Sequence, residues 1–331
     1  KTVLVIGGEK ALAAAYDKIK AAVDETNLVI IGKEIFGKDC TYQTVERLRS
    51  MKLYQLADMV FGVGGGAYSS DYMAAIEDAI WLNCDSVNCA ACTSVSIMYN
   101  EDGTFLKPHF FIRPAMHAFI DTEIIAKAPY QYLWAGIGDT YAKYYEATIS
   151  SRDERLEHFT SLGVALSKMC RDPLLEYGPK AFADHKQKLC TYDVEQVILA
   201  IVVTTGIASI FLTKDFTPDY NSGLAHAIFY ALTSYPVIEE RHLHGEVVGF
   251  GVLLALLVDG QEEEFEKVYE LNRSINLPVS LEQIEISEEQ WKESMTRIPE
   301  MSDVKHYPYR VTPEMLDAAM TKLKERVKKD E

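Results

Sequence analysis

The chain has 331 residues, an apolar fraction of 48% and a formal net charge of −16. Such length and composition allow one large or two ordinary domains with sizeable cores, while the negative charge argues against a nucleic-acid or anionic-membrane partner. Six cysteines in a chain of this size are too few for a disulfide framework and point to a reduced, cytoplasmic protein.

The N-terminal third alternates strand and helix signals. TVLVIGG is a β-branched run, followed by the helical stretch EKALAAAYDKIKAAV; LVIIGKE is a second strand and TVERLRSMKLYQL a second helix. ADMVFGVGGG is a third strand running into a glycine loop, with SDYMAAIEDAIWL expected as a third helix. This order implies a doubly wound parallel sheet that binds ligands beyond the strand C-termini. TSVSIMY and FLKPHFFI flank NEDG, an Asp-Gly hairpin signal. From Thr122 onward strand signals nearly vanish and helical patterns dominate, so the expected organisation is an α/β domain over 1–121 and an all-α domain over 122–331. No stretch is expected to span a bilayer, since IVVTTGIASIFL is short and interrupted by Thr, Gly and Ser.

Gly64, Gly65 and Gly66 close the third strand ahead of a helix. Residues without Cβ let the backbone approach a pyrophosphate at a helix N-terminus, although the run does not match the G-x-G-x-x-G fingerprint. Glu34 or Asp39 could accept a ribose hydroxyl, which favours NAD, while Lys33 and Lys38 could meet the extra phosphate of NADP. Cys89 and Cys92 form a lone C-x-x-C, read as small thiols rather than half of a zinc site.

Three residues carry more. Asp139 in AGIGDTYAKYYEA reads as a helix start after Gly-Ile-Gly; His226 in SGLAHAI and His244 in HLHGEVVGFG stand eighteen positions apart at two further helix starts. Singly, each has an ordinary reading as a helix cap or a core histidine. Together, a carboxylate and two imidazoles are the donors of a three-ligand catalytic metal site with one position open to substrate. The histidines converge only if the chain turns back between them, and SYPVIEERH around Pro236 supplies that turn.

With GVGGG, SVSIMYNEDG, AGIGDTYAKYYEA, SGLAHAI and HGEVVGFG in view, the chain resembles the glycerol dehydrogenase branch of the metal-dependent (iron-containing) alcohol dehydrogenase family. The resemblance implies a dehydroquinate synthase-like architecture with a helical, metal-binding second domain, and hydride transfer between a metal-bound alkoxide and nicotinamide. It makes Asp139, His226 and His244 the ligands of Zn²⁺ or Fe²⁺. Lys143 stands where four-ligand members carry another His, which implies the zinc-type site. It assigns Gly64–Gly66 to the pyrophosphate, Asp71 to the same loop, and Thr93, Val95 and Tyr99 to the nicotinamide side. The implied partners are a small alcohol, polyol or carbonyl compound and further copies of the chain, as a homo-oligomer. The departures are Ala67 in place of the usual Lys, Asp71 one place late, and Cys89 in place of the Asp that binds a polyol hydroxyl. Two other readings share the fold: an enzyme of phosphorylated substrates, of the glycerol-1-phosphate dehydrogenase or dehydroquinate synthase type, disfavoured because only Lys127, Lys143 and Arg241 lie near the motifs; and a non-catalytic dinucleotide-binding relative.

Overall fold

The computed structural model describes residues 1–36, 40–64, 79–83, 92–102, 104–111, 114–214 and 220–330. They fall into two compact units, one of residues 1–129 with 188–190 and one of residues 130–187 with 191–331.

In the first unit, strands β1 (Thr2–Gly7), β2 (Val29–Ile35), β3 (Met59–Gly64), β4 (Ala79–Asn83) and β7 (His117–Ile120) form one parallel sheet in the order β2-β1-β3-β4-β7. β5 (Val95–Tyr99) and β6 (Phe105–Phe110) make a separate antiparallel pair around the expected turn. Helix α1 (Glu9–Asp24) buries Ala11, Leu12, Ala15, Ile19 and Val23 at helical spacing against Val3, Val5 and Val63 of the sheet. α2 (Tyr42–Ser50), α3 (Lys52–Leu56) and α4 (Thr122–Ala126) complete the unit's described helices. Because β1 is followed on one side by β2 and on the other by β3, the strand order reverses at the C-terminal ends of β1 and β3. That is the switch point at which open α/β sheets bind ligands, and glycines stand there. A Cβ on Gly7 would lie 2.3 Å from the Val63 carbonyl oxygen, so only glycine permits this approach, and Gly64 ends β3 alongside.

One expectation fails here. The end of SDYMAAIEDAIWL is not helical: Ala79–Asn83 is strand β4, hydrogen-bonded between β3 and β7. A short unbroken apolar run such as AIWL carries no periodicity that separates a helix from an interior parallel strand.

The second unit is helical: α5 (Tyr130–Ser150), α6 (His158–Ser167), α7 (Asp172–Lys186), α8 (Tyr192–Leu199), α9 (Thr205–Phe211), α10 (Leu224–Leu232), α11 (Pro236–Arg241), α12 (His244–Val258), α13 (Glu262–Ile275), α14 (Glu288–Arg297) and α15 (Pro313–Lys328). The π-helical turn Ala200–Thr204 joins α8 to α9. The continuous run Tyr192–Phe211 is long and apolar enough to cross a membrane by length and composition, which corrects the expectation that none is; more than half of it is buried inside the protein, as in a core helix. α12 forms the centre of the unit. Residues 245–257 are all buried, as expected of a helix with apolar side chains on every face.

Candidate metal centre

Glycine sets the spacing of the helices that carry the site. A Cβ on Gly138 of α5 would lie 2.1 Å from the Gly245 carbonyl oxygen of α12, and one on Gly245 would lie 2.0 Å from the Ala135 carbonyl oxygen. Gly251 similarly admits the backbone of Ala225 in α10, where an added Cβ would meet the carbonyl oxygen at 2.7 Å. The α5 and α12 backbones therefore touch beside Asp139 and His244, and α10 meets α12 beside His226. Asp139 lies in the middle of α5, not at a helix start. The Gly-Ile-Gly before it marks close helix packing rather than a chain break. His226 and His244 do sit in the first turns of α10 and α12, with α11 and Pro236 at its start making the reversal between them.

The three side chains converge. Asp139 Oδ1 is 3.4 Å from His226 Nε2 and 3.4 Å from His244 Nε2, and one donor atom from each residue lies within 4.8 Å of the other two. Bonds of roughly 2.0–2.2 Å to a tetrahedral cation would place ligand atoms roughly 3.3–3.6 Å apart. His226 is buried and His244 is exposed, so the cluster opens on one side.

Glu146, seven residues after Asp139 on α5 and buried, completes the arrangement. One carboxylate oxygen accepts the His226 backbone N–H at 2.9 Å and the other pairs with His226 Nδ1 at 2.7 Å. With Nδ1–H donating to Glu146, a neutral His226 would present its Nε2 lone pair to a cation held with Asp139 and His244, the carboxylate–histidine arrangement typical of metal ligands. Burial opposes protonation of His226, but Glu146 and Asp139 outweigh it and raise its pKa to about 10. Burial likewise opposes ionisation of Asp139, while hydrogen bonds and charge from His226 and His244 hold its carboxyl well below the usual range. Two carboxylates around one buried imidazole demand a positive charge, and the donor set fits a divalent cation.

The rest of the surroundings holds these groups in place. Lys143 is buried one turn after Asp139 and donates to the Asn221 carbonyl oxygen ahead of α10. The Leu224 N–H donates to the buried Tyr307 hydroxyl at 3.1 Å. His242 does not join the triad: its Nδ1 pairs at 2.8 Å with Glu246, whose other oxygen accepts the Leu243 N–H and so caps α12. Phe229 packs edge-on against His244, centroids 4.4 Å apart, and Tyr230 lies 6.2 Å from His226.

Sequence reasoning missed Glu146, because AGIGDTYAKYYEA drew attention to Asp139 alone. The signal was available, because two helical turns put residues 139 and 146 on one face. In the first unit, Gly64 ends β3 at the switch point, Val95 and Tyr99 open and close β5, and Thr93 is buried with its hydroxyl 3.3 Å from the Val95 carbonyl oxygen. The Tyr99 N–H donates to the Cys40 carbonyl oxygen at 2.8 Å. Glu34 lies in β2, and Lys33 beside it stacks over the Tyr16 ring at 4.4 Å. Gly65, Gly66, Asp71 and Cys89, with Lys38 and Asp39, lie outside the described residues. The described cysteines Cys40, Cys92, Cys170 and Cys190 are not in disulfides, and burial pushes Cys92 up to about 11.

No family model matches the chain. Among curated proteins, glycerol dehydrogenase of Thermotoga maritima is 31% identical over 298 residues, 84% of this chain and 78% of that one. Hydroxycarboxylate dehydrogenase A of Escherichia coli is 30% identical over 329 residues, covering 96% and 88%. Among solved structures, glycerol dehydrogenase of Schizosaccharomyces pombe superposes with a TM-score of 0.81 at 22% identity, over 99% of this chain and 84% of that one.

Proposed function

The chain belongs to the glycerol dehydrogenase-like branch of the metal-dependent, iron-containing alcohol dehydrogenase family, and we propose that it is an NAD(P)-linked dehydrogenase of small alcohols, polyols or their carbonyl partners. Asp139, His226 and His244 would hold one divalent cation. The observation that carries this is their convergence, with both imidazole Nε2 atoms 3.4 Å from one carboxylate oxygen. A cation in this place supplies Lewis acidity that lowers the pKa of a substrate hydroxyl. The nicotinamide supplies the hydride acceptor. The protein's own part is to hold the ligands. Glu146 fixes the His226 tautomer and its ring orientation, Glu246 anchors the start of the helix that bears His244, and Lys143 ties down the chain entering α10.

Three protein ligands and a mixed nitrogen–oxygen donor set favour zinc, with iron as the alternative. Gly64–Gly66 with Asp71 are proposed for the pyrophosphate, and Thr93, Val95 and Tyr99 for the nicotinamide side, with NAD favoured over NADP. Cytoplasmic residence and self-association belong to the same reading; the described cysteines, none in a disulfide, accord with a reducing compartment. A phosphorylated substrate is disfavoured, because Lys143 is buried on a carbonyl oxygen and Arg241 pairs with Glu285 at 2.5 Å. Cys89 stands where the family resemblance implies a carboxylate for polyol hydroxyls and offers a poor acceptor, so glycerol is expected to be a weak substrate.

Elemental analysis of protein purified without chelator, with an NADH fluorescence titration alongside, tests the reading. One metal per chain in the wild type, lost together with activity in His226→Ala while NADH still binds, is the expected result. Full turnover in His226→Ala would overturn it.

A further inference from the structure

The open flank of the triad is walled by aromatic rings. His226, His244, Phe229 and Tyr230 form a closed circuit: His226 to His244 is 5.2 Å between centroids, His244 to Phe229 4.4 Å, Phe229 to Tyr230 5.4 Å and Tyr230 to His226 6.2 Å. Phe229 and Tyr230 lie three and four residues after His226 on α10, one turn along the same face. Tyr230 is 45% exposed, a high figure for so large a ring beside a buried ligand, and the His244 side chain is 43% exposed on the same flank. The Tyr230 phenol makes no hydrogen bond among the described residues.

We propose that Phe229 and Tyr230 select the substrate: a neutral hydroxy or carbonyl compound with an alkyl or aryl group beside the reacting carbon, which lies on the Phe229 ring while the Tyr230 hydroxyl donates to an oxygen of the same molecule. This deepens the proposed function and rests on the metal assignment made there. An apolar group gains burial against the Phe229 and Tyr230 rings, whereas a substrate carboxylate or phosphate would meet the like charge of Asp139 and Glu146, which flank the His226 imidazole.

The test is calorimetric binding of acetophenone and of pyruvate to the metal-loaded protein with excess NAD⁺, which prevents turnover, with metal content measured on each sample. Acetophenone is expected to bind at least about tenfold more tightly than pyruvate. Phe229→Ala, or Phe229→Leu should the first variant fold poorly, is expected to reduce that ratio about tenfold at unchanged metal content. Tyr230→Phe is expected to weaken acetophenone about three- to tenfold, the effect of one hydrogen bond. Tighter binding of pyruvate, or a ratio unmoved by Phe229→Ala and Phe229→Leu, overturns the proposal while leaving the metal reading intact. Wild-type protein that takes up no metal would instead overturn the metal reading, and this proposal with it.

Discussion

Glu146 grips His226 at two points: one carboxylate oxygen takes the backbone N–H and the other takes Nδ1, at 2.9 and 2.7 Å. One buried side chain thus sets both where α10 begins and which nitrogen of its imidazole faces Asp139. Glu146→Gln keeps the shape but removes the charge and offers an amide N–H to one of the two donors. Metal affinity is expected to fall roughly 10- to 100-fold, read by competition with a chromogenic chelator. Affinity unchanged within twofold would show that the pair is structural only.

The pH dependence of the metal-free protein follows from the same carboxylates. His226 has its folded pKa raised from 6.5 to about 10, so its contribution to stability is complete below 6.5 and is lost as pH rises through about 10. Asp139 has its folded pKa lowered, so its contribution is present above 3.8 and is lost as pH falls towards the lower folded value. In chelator, Tm is expected to decline between pH 7 and pH 10. With saturating zinc the decline should vanish, because the cation takes the place of the proton on a neutral imidazole. Parallel Tm curves with and without zinc would contradict this.

Much of this architecture was legible in the residues. β1, β2 and β3, the hairpin at NEDG and the long helices of the second unit follow from periodicity and turn chemistry, and the two histidines at paired helix starts mark the site. What escaped has definite physical causes. AIWL is too short and too uniformly apolar to declare its period, so the expected helix SDYMAAIEDAIWL runs into what is strand β4. Gly136 and Gly138 looked like a helix boundary because glycine disfavours helix, whereas Gly138 answers to a contact with Gly245 that only the folded structure reveals. IVVTTGIASIFL alone is short and carries Thr, Gly and Ser, yet most of it belongs to the continuous helical run Tyr192–Phe211, which has the length, and whose burial explains the composition. Glu146 was hidden among tyrosines because its partner comes from a helix eighty residues away.

The role of Gly138 can be tested directly. Gly138→Ala places a methyl group 2.1 Å from the Gly245 carbonyl oxygen, on two helix backbones that cannot yield locally. The expected cost is about 1–3 kcal/mol or more, seen as a lower urea midpoint, together with weaker metal binding because Asp139 and His244 sit on the displaced helices. Gly8→Ala is the control: its φ is −67° and no atom lies within 4 Å of the added Cβ. That variant should be neutral or slightly stabilising, since alanine restricts the unfolded chain. Equal losses in the two variants would rule out the packing explanation.

Behind the metal centre, the Tyr141 hydroxyl donates to Asn272 Oδ1 at 2.7 Å, and the Asn272 amide reaches the carbonyl oxygens of Gly249 and Pro278 at 3.4 Å each. The network links α5, α12 and the end of α13 with no exposed member, for Tyr141 and Asn272 are fully buried. Burial also pushes the Tyr141 phenol well above its usual pKa, so it remains a donor throughout the accessible range. Tyr141→Phe leaves the Asn272 oxygen without its partner and should cost about 1–3 kcal/mol. Asn272→Leu removes the amide as well, leaves the Tyr141 hydroxyl and two carbonyl oxygens without it, and should cost more. Because both residues serve one network, the double variant should lose less than the sum of the two single losses. Denaturant unfolding of the four proteins measures that difference, and strict additivity would show that the two side chains act independently.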